Sequence, residues 1–378
     1  MDRRSLISAC AAGFAFSANY TNQAPMVPVL RMQFGFDQAA AGLLTTAVFL
    51  THGLMQVPGG KLSDRFGALR MVPTALAWVA IANIAIASSG SFWQLLLWKA
   101  VAGIGTGACF TAGARYVVGR FEGRELHLAQ GLYGGSIVLG SGFVLFAVPV
   151  LLGALGWRGA FIACAAVALI AAALWMALAP KPRQPSHPPG NFLEMALRRE
   201  LWALGLIQMA SFGIVIVVGS WITTSLRTEF GFSLWTAGLM GSAVLLLGIF
   251  SRPLGGMLVH RMEPSRLVAG SLLLNTIGCA ALAWSNSPAA SAAGIAALGF
   301  GCGLPYAGVF NRAAALFPGR AGAAMGFVNM IGIVMILAGA PLVGRLADLT
   351  GHFQASFYAL GAFALAVLPA AFTMRETR

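Results

Sequence analysis

Five cationic or titratable side chains stand inside long apolar runs of this 378-residue chain: His52, Lys99, Arg115, Arg252 and Arg312. A charge at the centre of a bilayer costs at least ~2.5–3.5 kcal/mol, so each one asks for a reason. No Asp or Glu shares those runs, because all eleven acids fall in loops, ends or interfaces. A proton or sodium site commonly uses an intramembrane carboxylate, and the runs offer none. A surplus of buried cations suits an anionic substrate that brings the missing negative charge. The cations differ in position. Arg115 and Arg312 lie near the ends of their runs, where they either snorkel or guard a mouth. Lys99 either lines a path or holds a neighbouring helix. Arg252, in Ser251-Arg252-Pro253, either touches substrate or ties helix ends together. His52 near mid-depth could carry a proton, or simply pack. Neutral polar residues add to this set. Ser17, Asn19, Tyr20, Asn22 and Gln23 cluster in the first run, and helical spacing puts Asn19, Asn22 and Gln23 on one face with Tyr20 at its edge. Gln208 and Trp221 lie in the seventh run, and Tyr306 and Asn311 in the tenth.

The elements that carry these residues follow from composition. The chain is 58% hydrophobic and 9% charged, against about 25% charged in a soluble domain. An all-α polytopic membrane protein is the expected class. Twelve spans of suitable length fall near 6–30, 38–59, 71–89, 93–117, 128–151, 158–179, 202–226, 235–258, 267–286, 290–315, 322–344 and 354–373. The start resembles a signal peptide, but polar Asn19 to Gln23 interrupt its apolar run, so it reads as a retained first span. The net charge of +13 is set by topology and not by nucleic acid. Sixteen Lys and Arg fall on the side of the N-terminus and four (Arg31, Arg158, Arg227, Arg345) on the other. The positive-inside rule then places both termini in the cytoplasm, and a multi-pass protein of the cell inner (cytoplasmic) membrane is the expectation. The five cysteines form no C-x-x-C pair, the five histidines are dispersed, and no phosphate-binding loop follows a strand pattern. An enzyme, a metal site and a cofactor are therefore not expected.

The two halves of the chain repeat at an offset of 196 residues. From Arg31 to Leu43, seven of thirteen positions match those from Arg227 to Leu239. Gly60, Leu62, Arg65 and Arg70 meet Gly256, Leu258, Arg261 and Arg266; Gly103, Gly105 and Gly107 meet Gly299, Gly301 and Gly303; Gln56 meets Arg252. An offset of six spans keeps both halves in one orientation. The expected division is a six-helix bundle at 1–179, a proline-rich cytoplasmic linker at 180–200 and a second bundle at 201–378. Two such bundles suit alternating access around a site near the midplane.

Gly60-Lys-Leu-Ser-Asp64-Arg65-Phe-Gly67-Ala-Leu-Arg70 resembles the loop motif G-x-x-x-D-R/K-x-G-x-x-R of the major facilitator superfamily, and it lies between the second and third spans as in that family. The resemblance implies a twelve-helix transporter whose gating loop uses Gly60, Asp64, Arg65, Gly67 and Arg70, with Asp64 and Arg65 in a cytoplasmic charge network that latches the outward-open state. Asp64 would pair with loop arginines and neighbouring helix ends. The second copy carries His260 in place of the acid. In this family helices 1, 4, 7 and 10 line the cavity. That makes Asn19, Tyr20, Asn22, Gln23, Lys99, Arg115, Gln208, Trp221, Tyr306, Asn311 and Arg312 substrate-binding candidates, with His52, Gln56 and Arg252 on helices 2 and 8. Helices 2 and 8 are similar to those of nitrate/nitrite porters and related anion exchangers, which use a cation in each half. Arg252 fits one position and Gln56 occupies the other. The glycine-rich nitrate motif is only partly present on the fifth span and is departed from on the eleventh, so a small organic carboxylate or another small anion is the broader expectation. The alternatives are an exporter of hydrophobic or cationic compounds, which would want an acidic cavity residue, and a non-transporting membrane receptor. The lipid bilayer and an anionic small molecule are the expected partners. A coupling proton, an exchanged anion and uniport all fit these residues, and a monomer suffices.

Overall fold

The computed structural model describes residues 1–36, 38–181, 192–284 and 287–374, and these are almost entirely helical. Among the described residues ten helical runs are long and apolar enough to cross a membrane, or eleven counting the bent pair Ala40–Leu54 and Gln56–Phe66. The helix Arg3–Thr21 completes the set and is the more polar for its arginines, serines and Asn19. The helices are named in chain order: α1 Arg3–Thr21, α2 Gln38–Leu54 with Gln56–Phe66, α3 Ala68–Ala87, α4 Phe92–Arg120, α5 123–155, α6 157–178, α7 Arg199–Phe230, α8 Leu234–Leu246 with Gly248–Leu258, α9 Pro264–Ala283, α10 Pro288–Gly303 with Tyr306–Leu316, α11 Ala321–Thr350 and α12 Gln354–Ala366. The fold is a twelve-helix, all-α membrane architecture. Of the expected linker 180–200, residues 182–191 lie outside the described residues.

Glycine and proline set the breaks. A helical run from Gly123 to Leu178 is interrupted at Gly156, whose φ of 66° only glycine adopts freely. That break falls where the sequence puts the turn between the fifth and sixth spans. The first span is broken and not continuous: α1 stops at Thr21, a 3₁₀ turn follows at Ala24–Met26 because Pro25 lacks an N–H and restricts the residue before it, and a further helix runs over Val27–Phe34. Asn22 and Gln23 lie between α1 and that turn with helical φ/ψ of −60°/−24° and −71°/−27°. The second span is longer than expected. It bends by 44° at Met55, where Pro58 can neither bond to nor clear the Leu54 carbonyl four residues back, and then runs on to Phe66. Asp64 thus sits in the last turn of a helix instead of in a loop. The tenth span breaks at Leu304–Pro305 for the same reason. Pro305 has no N–H for the Gly301 carbonyl, and the Ser271 hydroxyl of α9 donates to that carbonyl in its place.

The helices group into two compact units: Met1–Leu126 with Ser136–Asn191 and Ala314–Gly326, and His127–Gly135 with Phe192–Ala313 and Phe327–Arg378. The first unit packs Leu30, Leu44, Ile86, Leu95, Trp157 and Phe161 into an apolar core. Beside it runs a buried polar relay. Lys99 Nζ of α4 donates to Asn22 Oδ1 (2.9 Å) and to the Asn19 carbonyl (3.3 Å), Asn22 Nδ2 donates to Asn83 Oδ1 of α3 (2.8 Å), and Asn83 Nδ2 donates to the Val79 carbonyl (2.7 Å). Lys99 is 1% exposed and its described partners are neutral. Hydrogen bonds to a buried charge are each worth about 1.5–3 kcal/mol. Asn22→Leu, which takes one acceptor from Lys99 and the donor from Asn83 Oδ1, should therefore lower the thermal midpoint by several degrees. Asn22→Leu combined with Lys99→Met should be more stable than Asn22→Leu alone, because the double change removes the charge as well as its acceptor. Melting the purified variants in detergent checks that order.

The chain start is tied to the end of α4. Asp2 caps α1, accepts from Ser5 Oγ (2.7 Å) and pairs with Arg120 Nη2 (2.6 Å), and these contacts pull its carboxyl down to about 2. A lowered carboxyl contributes stability that is full above its unfolded value near pH 4 and is lost as pH falls towards 2. The site is solvated, so the contribution is small. The difference in melting temperature between wild type and Asp2→Asn should hold constant from pH 7 to 5 and shrink below pH 4.

Candidate functional site

In the first unit the polar residues fall into three separate clusters. The first is the Lys99–Asn22–Asn83 relay, which holds α1, α3 and α4 together. Asn19 Nδ2 turns back to the Ala15 carbonyl of its own helix (2.7 Å), and Gln23 Nε2 reaches Thr45 Oγ1 (3.2 Å).

The second cluster surrounds His52. Phe16, Tyr20, Phe49 and Phe110 place their ring centroids 5.6–6.4 Å from the imidazole. His52 Nδ1 lies 2.9 Å from Thr106 Oγ1, which itself donates to the Gly103 carbonyl (3.0 Å). Tyr20 also meets Ser141 Oγ of α5 (3.1 Å), and Gln56 Nε2 donates to the His52 carbonyl (3.1 Å).

The third cluster is the gating loop. Asp64 is fully buried and accepts from the backbone N–H groups of Gly322 (3.1 Å) and Ala323 (3.0 Å) in the first turn of α11. A carboxylate there satisfies helix-end donors and meets the positive end of the helix dipole. Its ion-pair partner corrects the loop-arginine expectation. Arg115 of α4 pairs with it (Nε–Oδ1 2.8 Å), whereas Arg65 and Arg70 are exposed, Arg65 over the Phe66 ring. Arg115 therefore neither snorkels nor stands alone at a mouth. Gly60 is needed at this joint, since a Cβ on it would lie 2.6 Å from Ala323 Cα and closer still to Gly322. Gly67 ends the helix with φ 80°. At the repeat-related place in the second unit, His260 replaces Asp64 and its ring meets His127 edge to face, centroids 4.7 Å apart.

The second unit holds the guanidinium best placed for recognition. Arg252 of α8 is 4% exposed; its Nη1 donates to the Gly134 carbonyl of α5 (2.7 Å), and its Cζ lies 4.5 Å from the Tyr306 ring centroid and 5.8 Å from that of Phe212. Gly131 and Gly134 admit this packing: a Cβ on Gly131 would meet the backbone of Arg252 and Pro253, and one on Gly134 the Tyr306 ring. The repeat makes the arrangement recognisable. Phe212 and Tyr306 correspond at the 196 offset to Phe16 and Phe110, so an equivalent aromatic pair flanks Arg252 in one unit and His52 in the other. Gln208 is bonded to Asn329 (3.2 Å), and Trp221 Nε1 donates to the Ala340 carbonyl (2.8 Å), which ties both to α11. Buried Asn311 finds no side-chain hydrogen-bond partner among the described residues, and neither does Arg312 Nε. Sequence reasoning missed Asn83, Gln130 and Asn275. Gln130 of α5 is fully buried with neither side-chain polar atom bonded among the described residues, one turn before Gly134. Its type within an apolar run was the available signal.

Chemically, the second unit offers a desolvated, oriented guanidinium on an aromatic face, with buried amides on neighbouring helices. Among the described residues no group of three potential metal ligands occurs.

Comparison with known proteins agrees with this architecture. The family model described as Major Facilitator Superfamily matches residues 9–268 and 201–378. The chain is 23% identical over 347 residues to the "Probable nitrate transporter NarT" of Staphylococcus epidermidis, covering 91% of this chain and 89% of that one. It is 25% identical over 289 residues to the "Probable sulfoacetate transporter SauU" of Cupriavidus necator, covering 70% and 67%. The solved structure of the human organic anion transporter MFSD10 superposes with a TM-score of 0.84 at 17% identity, covering 98% of this chain and 99% of that one. The chain belongs to the Major Facilitator Superfamily and is a multi-pass membrane transporter, not an enzyme.

Proposed function

We propose that this transporter moves a small oxyanion, a carboxylate or an anion of similar size, across the bacterial inner membrane by alternating access, with both termini in the cytoplasm. The bundles that rock are the halves 1–179 and 201–378, and the protein works as a monomer. The observation that carries the reading is Arg252, a buried guanidinium held by the Gly134 carbonyl and laid on the Tyr306 ring. A guanidinium fixed in this way presents a planar fork of donors that matches two oxygens of a carboxylate or similar anion. The absence of any acid from the spans assigned by sequence supports an anion over a cation. Two relatives support the same class, one named for nitrate and the other for sulfoacetate. Asp64, on the first turn of α11, serves as the cytoplasmic latch of the outward-open state, with Arg115 as its counter-charge.

The test is ligand-dependent thermal stability of the purified protein against nitrate, acetate, succinate, sulfoacetate and organic cations. A ligand that binds the folded state raises its midpoint by mass action. Wild type should be stabilised by one anion class, and Arg252→Gln should lose that response. Stabilisation by organic cations alone would overturn the reading.

A further inference from the structure

Helix α7 is not uniform. Between Met209 and Gly213 it widens into a single π-turn, in which the Ile214 N–H reaches back five residues to the Met209 carbonyl. Such turns misalign the carbonyls beside them, and they concentrate at functional sites. Here one of those carbonyls has a dedicated partner. Asn275 of α9, fully buried, donates its amide to the Ala210 carbonyl (3.0 Å), while its Oδ1 accepts from the Cys302 thiol of α10 (3.4 Å). Gly301 leaves the room, because a Cβ there would overlap Asn275 Oδ1. The same π-turn carries Phe212, the residue that lies against the Arg252 guanidinium. The repeat-related stretch of α1, residues 13–17, is ordinary α-helix, and Val79 stands where Asn275 does. The widened turn and its amide are therefore particular to the half that carries Arg252.

We infer that Asn275 is a positioning residue: by holding the Ala210 carbonyl it keeps the π-turn in α7, and through that turn it sets Phe212 against Arg252 and so tunes the affinity for the anion. This rests on the reading of Arg252 as the anion's counter-charge. Loss of the Asn275 donor lets α7 rewind to regular helix. Residues within and beyond the turn then change register by up to about 100°, and Phe212, which lies inside the turn, is carried off the guanidinium face.

The probe is whichever of nitrate, acetate, succinate and sulfoacetate stabilises wild type most, titrated against the melting temperature of wild type, Asn275→Leu, Phe212→Ala and the double variant. Asn275→Leu and Phe212→Ala should each weaken apparent affinity by about tenfold, and the double variant by no more than either alone, because both act through one contact. A merely structural Asn275 would lower the ligand-free midpoint and leave the affinity unchanged, and that result overturns the inference. Losses that add in the double variant overturn it too. If Asn275→Leu does not fold, Phe212→Ala decides alone: wild-type affinity in that variant refutes the role given to the turn. A wild type that answers no anion, or an Arg252→Gln variant that keeps the response, brings down the site reading and this inference with it. A normal Arg252→Gln loss with unchanged Asn275→Leu affinity brings down only the inference.

Discussion

Truncating Asp64 to alanine should destabilise the folded protein by about 3–5 kcal/mol, because it strands a buried arginine without its counter-charge. It also leaves the Gly322 and Ala323 N–H groups without the carboxylate that satisfies them. A lost helix cap alone is worth about 1 kcal/mol. Asp64→Asn should fall between, since the amide oxygen can still accept one N–H while the charge on Arg115 goes unanswered. Arg65→Ala, at the next position of the same motif, should stay within about 0.5 kcal/mol of wild type, because Arg65 is exposed. The order of midpoints in a detergent melt is therefore wild type and Arg65→Ala together, then Asp64→Asn, then Asp64→Ala. An Arg65→Ala variant as unstable as Asp64→Ala would contradict the pairing with Arg115.

The second large effect concerns Arg252. Lysine keeps the positive charge but not the planar fork, and it cannot both lie on the Tyr306 ring and reach the Gly134 carbonyl as the guanidinium does. Arg252→Lys should lower saturable anion uptake into proteoliposomes by at least about tenfold, and Arg252→Gln by at least about a hundredfold, as loss of a charge-assisted bidentate contact predicts. Both variants should still melt cooperatively, since the Gly134–Tyr306 packing needs no charge. Uptake by Arg252→Gln at the wild-type rate would remove this residue from the transport path.

The number and order of the helices were legible because each needs about 20 apolar residues in one stretch. Gly156 marks a turn that composition alone had located. What the sequence hid was mostly pairing. Asp64 and Arg115 were both conspicuous, but they lie in different spans, and nothing in their spacing announces a 2.8 Å contact. Asn22 keeps helical φ/ψ at the end of α1, and Lys99 Nζ reaches both its Oδ1 and the Asn19 carbonyl; spacing marked that side of the chain, but not that a lysine of α4 and an amide of α3 would fill it. Asn83 and Asn275 went unread although the filter that drew attention to Asn19, an amide in an apolar run, applies to them equally. The distinction that filter cannot make is whether such an amide meets a ligand or another helix's carbonyl, and for Asn275 only the position of Ala210 answers it.

The hydroxyl that Ser271 gives to the Gly301 carbonyl ties the histories of two positions on different helices. While residue 305 is proline, the carbonyl four residues before it lacks its usual backbone donor, and a mutation of Ser271 to alanine exposes that defect inside the bilayer. Once residue 305 becomes alanine, the backbone N–H returns and Ser271 is free to drift. The two substitutions should thus be epistatic, and the order in which they arise decides whether a lineage passes through a damaged intermediate: proline must go first.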